Sequence, residues 1–223
     1  MLHSVPKCAI IVAGGLGTRM GIETPKQFLI LHGKPLLYYS LLAFFQYDSS
    51  IELIIVMPEA FHDMWKKMCT QYQITISHSL CNSGSTRFLS SKNGLAHSSS
   101  TPQTLVAIHD AARPFVDKDL IARGFELASL KKTAVATVDL KDSVRYIQEG
   151  ISLEKDRSHF KIVQTPQIFE FEILKSAFEK NLDIHVSDDA TVVEKNGNEI
   201  FIFQGDYKNI KITTKDDLLH LGN

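Results

Sequence analysis

The chain has 223 residues, 44% hydrophobic and 22% charged, with 24 Lys+Arg against 25 Asp+Glu for a formal net charge of −1. That length supports one large α/β domain with a full core, and the near-neutral balance excludes a bulk electrostatic drive toward nucleic acid or an anionic membrane, so any anionic ligand must be met by local charge. No apolar run approaches the roughly 20 residues of a membrane span, residues 1–7 lack a signal-peptide core, and Cys8, Cys69 and Cys81 have no metal spacing, which points away from a disulfide framework or zinc site and toward a reduced, cytoplasmic setting.

Cys8-Ala9-Ile10-Ile11-Val12 reads as a buried strand. It empties into Ala13-Gly14-Gly15-Leu16-Gly17-Thr18-Arg19-Met20-Gly21, and Pro25-Lys26-Gln27-Phe28 follows. Glycines let the backbone approach a ligand closely, and their amides can converge on phosphate oxygens. Arg19 and Lys26 add positive charge at the same place. The physical reading is a polyphosphate site; the plainer one is a glycine-rich turn with two surface cations. Two familiar phosphate loops do not fit. No Lys-Ser or Lys-Thr follows the glycines, as the Walker pattern requires. The spacing Gly15-x-Gly17-x-x-x-Gly21 misses the dinucleotide fingerprint by one residue.

Residues 35–46 read as a helix, with Leu37, Leu41, Phe44 and Phe45 at helical spacing and Pro35 at its first position. Residues 53–57 are a second buried strand, and 61–71 a second helix. Gly84-Ser85-Thr86-Arg87, with Ser90, opens another helix-like stretch, whose N-terminus either meets polar ligand atoms or is simply capped. A strand over 105–109 precedes a helix over 117–130, with Asp117 as N-cap and Ile121, Phe125 and Ala128 on one face. A strand over 134–138 and a helix over 171–181, with Phe171, Leu174 and Phe178 on one side, complete the rhythm. This alternation implies one domain over 1–223, α/β, with a mostly parallel twisted sheet and helices on both faces. Ligands of such sheets sit beyond the strands' carboxyl ends, where the glycine loop and His109-Asp110-Ala111-Ala112-Arg113-Pro114 both emerge.

The rhythm breaks over 139–157. Val144-Arg145-Tyr146-Ile147-Gln148, Glu149-Gly150 and Ile151-Ser152-Leu153 read as a protruding hairpin with its turn near Gly150. A hairpin this poor in apolar residues is marginal alone, and a second subunit is the simplest thing for it to pack on.

Asp110 reads either as a Mg²⁺ ligand at a strand end or as a cap of the next turn, and Arg113 as an anion clamp or a surface ion pair. Lys211, in Asn209-Ile210-Lys211-Ile212-Thr213, is placed on an alternating strand, sharing a face with Asn209 and Thr213. His109 has no Ser or Cys partner in a nucleophile motif and reads as structural. Asp188-Asp189 reads as an acidic pair at a helix N-terminus rather than a metal site.

The ordered set of motifs resembles the 2-C-methyl-D-erythritol 4-phosphate cytidylyltransferase family over nearly the whole chain. It comprises the glycine loop, Pro25-Lys26-Gln27-Phe28, Gly84-x-x-Arg87-x-x-Ser90, and His109 to Pro114. It continues through Asp142-Ser143, Asp156-Arg157, Gln164-Thr165-Pro166-Gln167, Asp188-Asp189-Ala190 and Asn209 to Thr213. The resemblance implies a Rossmann-like nucleotidyltransferase fold and transfer of CMP from CTP to methylerythritol phosphate, with Mg²⁺ as cofactor and pyrophosphate released. It implies that Ala13, Gly14, Gly15 and Gly17 line the nucleotide, and that Gly84 and Ser90 help read cytosine. Arg19 and Lys26 would hold the triphosphate, Lys211 would reach the α-phosphate, and Asp110 would lie near the metal and the sugar. Arg113, Ser143, Arg157 and Thr165 match positions around the acceptor, some of them supplied by the partner's arm in a homodimer. Ser85 stands where relatives often carry an acid, and Ser143 where they can carry Thr. Ala13-Gly14-Gly15 is a spelling shared with ribitol-phosphate cytidylyltransferases, the alternative family. Asp110-Ala111-Ala112-Arg113 and Asp156-Arg157 favour the methylerythritol enzyme. A non-catalytic nucleotide-binding module is a third reading, which the presence of both Lys26 and Lys211 disfavours.

Overall fold

A computed structural model describes residues 5–15, 25–181, 183, 185–213 and 217. In chain order the elements are β1 (Lys7–Val12), the short pair β2 (Ile30–Leu31) and β3 (Lys34–Pro35), α1 (Leu36–Tyr47), β4 (Glu52–Met57), α2 (His62–Gln71), β5 (Ser79–Asn82), α3 (Arg87–His97), β6 (Leu105–Asp110), α4 (Lys118–Lys131) and β7 (Thr133–Asp139). The hairpin strands β8 (Arg145–Gln148) and β9 (Ile151–Glu154) follow, then β10 (Lys161–Glu170), α5 (Phe171–Lys180), α6 (Asp189–Lys195) and β11 (Ile202–Gln204).

Seven strands form the central sheet in the order β11-β7-β10-β6-β1-β4-β5. β6, β1, β4 and β5 pair in parallel, and β11 runs parallel to β7. β10 runs antiparallel to both its neighbours, β6 and β7. Successive residues of a strand face opposite sides, and β1 shows why its sequence is apolar throughout. Ala9 and Ile11 join Leu37, Leu41, Phe44, Trp65 and Phe125 in one layer. Cys8 and Ile10 join Phe88, Phe169, Leu174 and Phe178 in the other.

The predicted helices are present with small corrections. Pro35 ends β3 with ψ 146° and precedes α1 instead of opening it. Phe45 falls on the outer side of α1, 39% exposed, while Leu37, Leu41 and Phe44 are buried. Asp117 caps α4 as expected, its carboxylate accepting the Leu120 amide at 2.8 Å. β8 and β9 form their own two-stranded sheet, exposed at every residue. Glu149 and Gly150, with φ 50° and 79°, make the two-residue turn whose twist suits a hairpin.

The strand expected over 209–213 is absent. The segment is irregular, tied down by the Ile212 amide to the Ala112 carbonyl at 2.8 Å. Asn209 is fully buried, so Lys211, which is exposed, does not share a face with it. Alternating apolar residues here serve burial beside the Ala112 turn, not pairing.

α3 lies so close to the sheet that a Cβ at Gly94 would sit 2.5 Å from Ile10 Cγ2 and 2.8 Å from Val56 Cγ2. Helix propensity favours Ala there by about 1 kcal/mol, and overpacking a core costs about 1–3 kcal/mol. Both neighbours are β-branched and buried, so the clash outweighs the propensity. Gly94→Ala is expected to lower stability by about 1 kcal/mol, read as a lower urea midpoint at unchanged slope; a raised midpoint would show that α3 can lift off the sheet.

Candidate functional site

β1 and β6 are in register with Val12 opposite Asp110, so both chains leave the sheet at one place. The Ala13 amide donates to the Val56 carbonyl at 2.8 Å and the Ala111 amide to the Val12 carbonyl at 3.0 Å. Gln27, buried at the turn Lys26–Phe28, donates from Nε2 to the Ala13 carbonyl at 2.9 Å. That bond fixes Lys26 beside the start of the glycine loop, and Lys26 Nζ donates to the Ile212 carbonyl at 3.2 Å. Across the opening, Thr86 caps α3 by accepting the Leu89 amide. Buried Ser90 accepts the Gly84 amide at 3.2 Å and donates to the Thr86 carbonyl at 2.9 Å. Gly84 and Ser90 are thus one rigid corner.

These pieces enclose a cavity of about 460 Å³, lined by Ala13, Gly14, Gly15, Lys26, Gly84, Ser85, Ser90, Asp110 and Lys211, among others. A second cavity of about 250 Å³ is lined by Arg113, Gln164, Thr165, Gln167 and Asp188, and shares Arg87, Asp110 and Lys211 with the first. Those three side chains form the junction between the two.

The Asp110 carboxylate is the centre of the junction. Oδ2 lies 2.7 Å from Lys211 Nζ and 3.9 Å from Arg113 Nε, and Oδ1 accepts from Arg87 Nε at 3.2 Å. Burial alone would raise its pKa; the Arg87 guanidinium, with Lys211 and Arg113, outweighs burial and holds it well below the usual carboxylate range. Arg87 is anchored from behind by Asp189, Nη1 to Oδ2 at 2.6 Å. Burial works against its charge, but Asp189 and Asp110 together keep it firmly protonated. Arg113 donates to the Asn209 carbonyl at 2.7 Å, and its buried Nε has no hydrogen-bond partner among the described residues. Asp188 caps α6, accepting the Thr191 amide at 2.9 Å, so the acidic pair does begin a helix. It also accepts from Gln167 at 3.1 Å.

Among the described residues, no three His, Cys, Asp or Glu side chains form a metal cage. Among the described residues, Asp110 is the only carboxylate on the wall of the larger cavity. A carboxylate oxygen keeps acceptor capacity beyond one bond, and Mg²⁺ is usually held by one or two carboxylates plus substrate phosphates and water. The donor set fits Mg²⁺ bound through a phosphorylated ligand and excludes a dedicated all-protein site among these residues.

Of the residues picked from sequence, the two cavities gather Ala13, Gly14, Gly15, Lys26, Gly84, Ser90, Asp110, Arg113, Thr165 and Lys211. Gly17 and Arg19 lie outside the described residues. Ser143 and Arg157 are on neither cavity; both are exposed, and Arg157 Nη1 donates to the Lys141 carbonyl at 2.5 Å. The bridging role of Arg87, its anchor Asp189, and the Gln27 tether were not assigned from sequence. Arg87 stood inside a quoted motif, but its acidic partner lies on a distant helix, and no local pattern signals such a pair.

Comparison with known proteins agrees across the chain. The family model of 2-C-methyl-D-erythritol 4-phosphate cytidylyltransferase (IspD) matches residues 7–221. Proteins of that name from Bacteroides thetaiotaomicron and Phocaeicola vulgatus are 43% and 42% identical over 209 residues, in each case 94% of this chain and 94% of the relative. The crystal structure of 4-diphosphocytidyl-2C-methyl-D-erythritol synthase from Anaerococcus prevotii superposes with a TM-score of 0.83 at 27% identity, covering 97% of this chain and 94% of that one.

His109 is fully buried, and burial pushes its pKa from 6.5 down to about 4. Between those values the unfolded chain binds a proton that the folded chain refuses, so stability falls as pH is lowered from about 6.5 to about 4. The loss from this group is up to about 3 kcal/mol. Urea midpoints measured across that range should show it, and His109→Asn should flatten that part of the curve.

Proposed function

The chain belongs to the 2-C-methyl-D-erythritol 4-phosphate cytidylyltransferase family, and on that premise we propose how its two joined cavities carry the family's reaction. CMP is transferred from CTP to 2-C-methyl-D-erythritol 4-phosphate, giving 4-diphosphocytidyl-2-C-methyl-D-erythritol and pyrophosphate. CTP occupies the larger cavity, with the glycine loop along the nucleotide and the Gly84–Ser90 corner beside the base. The acceptor phosphate enters the smaller cavity and meets the α-phosphorus at the junction.

The acceptor phosphate oxygen is already a nucleophile and needs no general base. It bonds to the α-phosphorus as the bond to the β-phosphate oxygen breaks, and the electron pair leaves with pyrophosphate. The barrier is electrostatic, because one anion must approach another while charge grows on the leaving group. Preorganised cations are the remedy. Lys211, partly exposed and 2.7 Å from Asp110, can swing to the α-phosphate. Arg87 stays with Asp110, because Asp189 holds its other side. Lys26 and Arg19 take the triphosphate. Mg²⁺, when bound, would supply further charge neutralisation at the phosphates, and Asp110 is the carboxylate that would hold it. The observation that carries this reading is the junction itself, where Arg87, Asp110 and Lys211 line both cavities.

The hairpin belongs to the same proposal. Tyr146, Ile147, Ile151 and Leu153 are exposed on it, and Arg157 lines neither of the two joined cavities. We assign it to a two-fold dimer in which each arm, with Ser143 and Arg157, serves the partner's acceptor site. Highly charged substrates that do not cross a membrane unaided support a cytoplasmic enzyme.

Pyrophosphate release with CTP, Mg²⁺ and methylerythritol phosphate tests the reaction, with ribitol phosphate and UTP as controls expected to be poor. Lys26→Ala and Lys211→Ala are each expected to lower kcat by about 10²–10³ with the fold intact by circular dichroism. Near-normal kcat in either folded variant would remove that lysine from the machinery.

Subunit exchange tests the arm. Mixing inactive Lys26→Ala with inactive Arg157→Ala gives half mixed dimers, each with one whole site if the arm crosses over, so activity recovers to roughly a quarter of wild type. If Arg157 serves its own subunit, no site becomes whole and mixing restores nothing.

A further inference from the structure

His109 takes no part in the chemistry above, yet it is fully buried one residue before Asp110. Its ring packs edge-on against Phe44, with centroids 5.5 Å apart. Nε2 lies 3.2 Å from the Arg113 carbonyl, and Nδ1 lies 3.1 Å from Thr165 Oγ1. Thr165 Oγ1 also lies 3.1 Å from the Asp110 amide nitrogen.

These contacts favour one assignment of hydrogens. A carbonyl only accepts, so Nε2 carries a hydrogen and donates to Arg113. The Asp110 amide only donates, so it occupies one lone pair of Thr165 Oγ1. Thr165 has a single hydroxyl hydrogen, and among the described residues its oxygen has no further partner. If Nδ1 also carried a hydrogen, that hydroxyl hydrogen would have no acceptor among the described residues and could turn only into the smaller cavity, giving up a bond inside the protein. With Nδ1 bare, every group is satisfied: Asp110 N–H to Thr165, Thr165 O–H to His109 Nδ1, His109 Nε2–H to Arg113.

We propose that His109 is a positioning residue for the reaction, a neutral imidazole protonated on Nε2 that fixes Thr165 on β10 against the Asp110–Arg113 turn after β6. Thr165 and Arg113 line the smaller cavity, and Asp110 lines both, so the ring sets the acceptor side of the junction without touching a substrate. A consequence is that Thr165 has no hydrogen left to give; toward a ligand it offers a lone pair only. This inference rests on the reading of the smaller cavity as the acceptor site. The hydrogen assignment does not.

The experiment has two arms. In the first, ¹⁵N-histidine spectra of the wild-type chain, with His109→Asn to assign the signal, should show His109 with a bare Nδ1 and a protonated Nε2 at neutral pH. The opposite tautomer, or a doubly protonated ring, overturns the proposal. In the second, KM for methylerythritol phosphate and for CTP is measured in folded variants. His109→Leu, lacking both bonds, and His109→Gln, which keeps a polar group only at the Nε2 position, should each raise the acceptor KM about tenfold. The CTP KM should stay near normal. His109→Asn, which places an oxygen at the Nδ1 position, should recover the acceptor KM to within about threefold. A purely structural histidine would move both KM values together or neither, and equal acceptor KM in the Leu and Asn variants also overturns the proposal. Absence of any CMP transfer by the wild-type chain would instead defeat the functional reading, while the spectra would still decide the tautomer.

Discussion

The Asp110 carboxylate, held at the end of β6 between three cations, is the constraint on which the site depends. A half-buried arginine and a buried one facing each other would be costly without it. Asp110 lets Arg87 and Arg113 come together, and it gives Lys211 a resting place. Asp189 supplies the second negative charge, from behind Arg87. With Asp188 on the wall of the smaller cavity, three acids balance the three cations, and Lys26 adds the excess positive charge. That excess is what a site for two phosphorylated ligands requires in a chain whose overall charge is near zero.

The sheet explains how residues so distant in sequence meet there. β1 and β6 end in register, which puts the start of the glycine loop, Ala13 to Gly15, beside Asp110. The antiparallel β10 brings Gln164 and Thr165 alongside them. Its antiparallel run is a product of the hairpin: the chain leaves β7, passes through β8 and β9, and returns between β7 and β6. The insertion that carries the arm therefore also carries the wall of the smaller cavity. One excursion of the chain builds the second site and the surface that would reach another subunit.

Legibility in the sequence followed the physics of each feature. Buried parallel strands are continuous apolar runs, so β1, β4, β6 and β7 could be read directly, as could the faces of α1 and α4. β5 and β11 are short and carry polar residues, and β10 is interrupted by Pro166, so none of them gave a run. The irregular course of 209–213 was misread because alternating burial in a tied-down loop imitates a strand. At the site, residues within local motifs were legible, including Lys26, Gly84, Ser90 and Asp110. Pairings such as Arg87 with Asp189, or His109 with Thr165, are products of tertiary geometry. No spacing rule encodes them, although each member stood inside a motif.

Rigidity is distributed unevenly around the junction, and the distribution matches what each group must do. Asp110 is fixed by its amide bond to Thr165, Arg87 by Asp189, and the Gly84–Ser90 corner by its own closed pair of hydrogen bonds. Lys211 lies on irregular backbone and is 40% exposed at its side chain. A cation proposed to follow charge onto a phosphate would profit from such freedom. Groups that only frame a cavity do not, because each degree of freedom left in them must be frozen when a ligand binds. The two buried acids therefore have different tasks. Asp110 balances the partly exposed Lys211 as well as Arg87, whereas Asp189, buried beneath Arg87, ties that guanidinium in place.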